Sequence, residues 1–146
     1  MEKRINIAET EPAGYKAMYA LTNYLASSQL SKTHMELLKI RASQINGCAF
    51  CLDMHTKDAL KNGETNQRIF LLNAWRETNL FTEEEKVILA ITEEVTLIHQ
   101  KGLTEETYLK AEKLFDKNYI SQLIMAVVTI NAWNRIAIST QLEIPA

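Results

Sequence analysis

The chain has 146 residues, 47% of them hydrophobic and 23% charged, with a formal net charge of −2 at pH 7; this suits one domain with a real core over residues 1–146 and argues against a second. Charges of both signs are interspersed, so no basic face marks a nucleic-acid partner. Residues 1–10 lack the apolar stretch of a signal peptide and no uninterrupted apolar run has the length of a membrane span, so a membrane partner is not expected and the cytoplasm is.

With only four Gly and two Pro, and with apolar residues at helical rather than alternating spacing, the chain reads as an all-α helical bundle. Pro12 suits the first turn of a helix through Tyr15, Met18, Tyr19, Leu21 and Leu25, ending near Ser27 and Ser28. Ser31 or Thr33 caps the next, which carries Leu37, Leu38, Ile40, Arg41 and Ile45 and stops at Asn46-Gly47. Cys48 begins a third helix, which runs to about Lys61 and stops at Asn62-Gly63. A shorter helix is expected around Gln67–Arg76.

Thr82 with Glu85 three residues on is a capping-box pattern, predicting a helix from there to about Gln100. Gly102 breaks it, Thr104 caps a helix through Phe115, and residues 116–118 make the last connection. The final helix, Tyr119 to Ile138, is apolar on more than one face and must be covered by its own domain or by another subunit, which predicts a homo-oligomer. Its length of about 20 residues resembles a membrane span, but Gln122, Asn131, Asn134 and Arg135 would then sit in hydrocarbon.

The two cysteines, Cys48 and Cys51, are three apart at a helix start. In a reducing compartment such a pair stays as thiols unless it performs redox chemistry. Unpaired amides and the macrodipole at a helix N-terminus stabilise negative charge on Cys48, whereas His55, one turn beyond Cys51, can take a proton from Cys51. These two arguments favour different sulfurs as the attacking one. Glu36 lies eleven residues before Gly47 and His55 eight after it. On an antiparallel hairpin they would differ by about 4–5 Å along the axes, so a Glu36–His55 proton relay is expected. A zinc site built from Cys48, Cys51, His55 and Glu36 is the rival, but structural zinc usually draws on two separated ligand pairs and only one Cys pair is present. No metal or other cofactor is therefore expected. His34 and His99 lack such company and read as packing or surface residues.

The pattern Glu36-x11-Cys48-x2-Cys51-x3-His55, together with Gly63-Glu64 and Asn73-Ala74-Trp75-Arg76, resembles the alkylhydroperoxidase AhpD-like branch of the carboxymuconolactone decarboxylase family. That resemblance implies an all-helical trimer or hexamer, an antioxidant peroxidase whose cysteines cycle between dithiol and disulfide while reducing a hydroperoxide, with a dithiol reductant as partner. It implies Cys51 as the attacking sulfur, Cys48 as the resolving one, and Glu36 and His55 as the relay. Members of the AhpD type have a further histidine just before the second cysteine. Here that place is Phe50, so a proton step using it is absent or done differently. Lactone decarboxylases of the same superfamily generally lack the cysteine pair, which argues against decarboxylation. The alternative from another class is a non-enzymatic redox sensor whose disulfide alters its assembly.

Overall fold

The computed structural model describes residues 3–146, and among them every regular element is helical. One short turn, α1 (Ile7–Thr10), leads into α2 (Pro12–Ala26), with Pro12 in the first turn, where its missing N–H costs no intrahelical bond. Helix α3 (Lys32–Asn46) is capped by Ser31, whose hydroxyl accepts from the backbone N–H of His34. After it come α4 (Ala49–Lys61), α5 (Asn66–Phe70), a 3₁₀ segment (Leu72–Glu77), α6 (Glu83–Thr96), α7 (Glu105–Leu114) and α8 (Lys117–Thr140).

Helix α3 is the centre of the bundle because two of its stripes are apolar. Met35, Leu38 and Ala42 face a core shared with Leu25 of α2, Ile88 and Ile91 of α6, and Leu123 and Val127 of α8. Leu37 and Ile40 face a second core with Ala59, Leu72, Trp75 and Leu89. Burying a side chain of this size is worth about 1.5–3 kcal/mol, so a helix apolar on two sides is held between layers rather than on the surface.

The turn into α4 decides where the cysteines stand. Gly47 adopts φ 68°, the Gly47 N–H donates to the Gln44 carbonyl at 3.3 Å, and the Cys48 N–H donates to the Ser43 carbonyl at 3.0 Å. These paired reverse bonds close the end of α3 and fold α4 back along it. Gly63, at φ 92°, ends α4 with the same pair of bonds, from Gly63 N–H to Leu60 and from Glu64 N–H to Ala59. Thr82 and Glu85 form the expected capping box, with Thr82 N–H donating to the Glu85 carboxylate at 2.8 Å and Glu85 N–H donating to the Thr82 hydroxyl at 3.1 Å.

Three expected elements differ. The helix expected around Gln67–Arg76 is divided: α5 ends at Phe70, a 3₁₀ segment follows, and within it Ala74 leaves helical geometry at φ −115° while Trp75 and Arg76 are drawn onto Glu93. Helix α6 ends at Thr96 rather than near Gln100, where Thr96 accepts a hydrogen bond from Asn131 of α8. Asp116 is a cap rather than part of a connection, its carboxylate accepting from the Tyr119 N–H, so α8 starts at Lys117.

Helix α8 meets the length and composition of a membrane span, yet 44% of its most apolar window is buried within the bundle. Its inner face carries Leu123, Val127, Ile130 and Asn134, while Val128 and Ile138 remain exposed.

Candidate active site

Cys48 is the cap residue at the start of α4 and Cys51 lies in the first turn; both are buried free thiols. Their Sγ atoms are 2.6 Å apart, about half an ångström beyond a disulfide bond. The apolar cluster around them includes Ala137 of α8 and, at its edge, Phe50. Burial pushes the Cys51 thiol up to about 12, the Cys48 thiol beside it adds to the rise, and the Asn134 side-chain amide opposes it.

The hairpin that Gly47 makes brings Glu36 of α3 to His55 of α4, as the level count predicts. Glu36 Oε2 is 3.5 Å from His55 Nδ1, and neither atom has a hydrogen-bond partner within the usual distance among the described residues. The other carboxylate oxygen, Oε1, stands 3.8 Å from Lys39 Nζ, one turn on. Glu36 is buried, and Lys39 is the cationic neighbour of its carboxylate.

The four residues of the rival zinc reading do not form one ligand set. The ligand atoms that gather within 4.8 Å belong to Glu36, His55 and Asp58, and neither thiol is among them. The thiols pack with Ala137 and Phe50 instead, and an amide network lies close to them.

That network was not anticipated as part of a site. Asn46 Nδ2 donates to Oδ1 of both Asn131 and Asn134 at 2.9 Å, and Asn134 Nδ2 donates to Ser43 Oγ at 3.0 Å. Asn134 is fully buried, which places a polar, hydrogen-bonded wall behind Cys51 in an otherwise apolar core. The signal for it in the sequence is Asn131 and Asn134 on an otherwise apolar helix.

On the outer side Cys51 and His55 line a cavity of about 320 Å³ between α2, α3, α4 and α8. Its far wall is a three-ring cluster, Tyr15, Tyr19 and Trp133, with edge-to-face contacts at centroid distances of 5.2 to 5.5 Å. Trp133 is anchored by its indole N–H, which donates to Thr22 Oγ1 at 3.0 Å. Phe50 also lines this cavity, so the position just before Cys51 presents an apolar wall.

Other motif residues are structural. Glu93 accepts from Arg41, Trp75 and Arg76 at 3.0, 2.8 and 2.6 Å, tying α3 and the 3₁₀ segment to α6. Arg68 bridges Glu64 and Glu85. His34 is a packing residue, its Nδ1 2.7 Å from the Tyr119 hydroxyl, and His99 is exposed.

The carboxymuconolactone decarboxylase family model matches residues 12–94, which span the cysteines, Glu36 and His55 but not α8. The uncharacterized Bacillus subtilis protein YdfG is 43% identical over 139 residues, 95% of either chain. A crystal structure from Agrobacterium tumefaciens, of a protein of unknown function suggested to be the antioxidant defence protein AhpD, superposes with a TM-score of 0.95 at 39% identity over 99% of both chains. The debrominase Bmp8 shares the fold alone, with a TM-score of 0.82 at 13% identity over 94% of this chain and 74% of that one.

Proposed function

This chain belongs to the carboxymuconolactone decarboxylase family, and from that premise we propose that it is a cofactor-free thiol peroxidase that reduces organic hydroperoxides through a Cys48–Cys51 dithiol/disulfide cycle. The observation that carries the proposal is the meeting of two buried thiols, 2.6 Å apart, with a buried carboxylate and its partner imidazole one turn away, beside an apolar cavity.

In the cycle, Cys51 attacks because it is the thiol that lines the cavity. Burial opposes its ionisation, so a base within the site has to take the proton; His55 does so, with Glu36 holding the imidazole and stabilising its charged form. The Cys51 sulfur bonds to the terminal peroxide oxygen, the O–O bond breaks, and His55 returns the proton to the departing alkoxide. The Cys48 sulfur then attacks the Cys51 sulfenic acid, hydroxide leaves and takes the remaining proton as water, and the disulfide forms. The sum is two thiols and one hydroperoxide giving a disulfide, an alcohol and water. A dithiol reductant resets the pair by exchange.

The reaction is assigned to the cytoplasm and to a homo-oligomer, a trimer or hexamer; exposed Val128 and Ile138 on α8 support a subunit contact. The test is consumption of cumene hydroperoxide coupled to dithiothreitol. Turnover is expected in the wild type and not in Cys48→Ser or Cys51→Ser; turnover persisting in both variants refutes the cycle.

A further inference from the structure

The cavity beside Cys51 is of a size that takes small organic ligands, and its lining is not uniformly apolar. Tyr15, Tyr19, Trp133 and Met35 supply aromatic and apolar walls, while Lys39 is the one lysine or arginine among the described lining residues. A lone lysine in such a wall has a bland explanation, which is neutralising Glu36. The geometry limits that explanation, because Lys39 Nζ lies 3.8 Å from Glu36 Oε1, beyond hydrogen-bond distance, and that contact leaves its three N–H donors unspent.

We infer that the cavity binds an amphipathic carboxylate, a single-ring or medium-chain organic acid whose apolar body lies against the tyrosine–tryptophan cluster and whose acid group is held by Lys39. Lys39 stands eight residues before Gly47 and Cys51 four after it, which sets their levels about 6 Å apart along the hairpin at the helical rise. That offset lets one small molecule hold its acid on Lys39 while a second functional group reaches the sulfur. The ring cluster favours an aryl body, since edge and face surfaces are both offered at 5.2 to 5.5 Å spacing. Combined with the proposed peroxidase chemistry, on which this last step rests, the favoured substrates become carboxylate-bearing organic hydroperoxides, with neutral ones such as cumene hydroperoxide turned over less efficiently.

The test is calorimetric titration of the reduced protein with 4-phenylbutyrate and with 4-phenylbutan-1-ol, which share a body and differ in the charged end. The acid is expected to bind at least about ten-fold more tightly than the alcohol, the worth of one charge-assisted hydrogen bond. Lys39→Arg is expected to retain the preference. Lys39→Met, which keeps the apolar stem, is expected to bring the ratio to about one while the alcohol binds as before. Equal affinities in the wild type, or a preference that survives Lys39→Met, overturns the inference, and the wild-type comparison stands even should a variant fail to fold. Binding is read without turnover, so the two proposals separate. A protein that prefers the acid but consumes no hydroperoxide keeps the ligand class and loses the peroxidase, and one that turns over cumene hydroperoxide with no acid preference does the reverse.

Discussion

Cys51 is at once the thiol that the cavity exposes to a ligand and a thiol whose ionisation burial opposes, its value pushed up to about 12. A raised value means that little thiolate forms unaided at neutral pH, so removing the base should be felt most there. His55→Ala is expected to slow peroxide-driven oxidation of Cys51 by about 10²–10⁴-fold near pH 7, with a rate that climbs steeply towards alkaline pH as hydroxide takes over. A variant whose pH profile parallels the wild type would remove His55 from the proton path. Asn134 acts from the other side, its side-chain amide favouring the charged form of Cys51. Asn134→Leu should shift the pH dependence of Cys51 alkylation upward, and it should also cost about 1–3 kcal/mol in urea unfolding by stranding Asn46 and Ser43. The Glu36–His55 meeting was legible because both lie at countable levels from Gly47. The Asn134 contact was not, because it joins residues 83 positions apart in sequence, and no local spacing encodes that pairing.

Helix ends written in local chemistry were legible. Gly47 and Gly63 stop their helices in the left-handed region, and Thr82 with Glu85 starts α6. An added Cβ at Gly47 would meet nothing within 4 Å, so Gly47→Ala tests backbone conformation alone. It is expected to destabilise by ~1–2 kcal/mol and to slow Cys48–Cys51 closure by loosening the hairpin; a thermal midpoint equal to the wild type would contradict this. Where the chain departed from expectation, tertiary bonds overrode local preference. Trp75 and Arg76 bend the 3₁₀ segment onto Glu93, and Asn131 of α8 meets Thr96 where α6 ends. Neither partner is visible within a window of the length that helical periodicity samples.

At the scale of the molecule, Glu93 joins three elements, and its ionisation links stability to pH. Burial alone would raise its carboxyl, but hydrogen bonds from Arg76, Trp75 and Arg41 outweigh that and hold it below the ordinary range. A carboxyl depressed by folding stabilises above its unfolded value and loses that contribution as pH falls through its folded one. Glu93→Gln is therefore expected to cost ~2 kcal/mol at pH 7, with a gap to wild type that closes in urea melts below the ordinary carboxylate range; a gap independent of pH would contradict the linkage. The all-helical class was legible from periodicity and the family from Glu36, Cys48, Cys51 and His55. The aromatic cavity was not, because it is assembled from α2, α3, α4 and α8 together.

The central claim is that one hydroperoxide joins Cys48 to Cys51. Reduced protein mixed with one equivalent of cumene hydroperoxide, quenched at intervals and mapped by mass spectrometry, tests it before any physiological reductant is identified. The expected result is loss of two hydrogens per chain, located to a Cys48–Cys51 bond, at a rate that falls in His55→Ala and Glu36→Gln. Persistence of both thiols while peroxide remains unconsumed, or oxidation of Cys51 to sulfinic acid with Cys48 untouched, would contradict it.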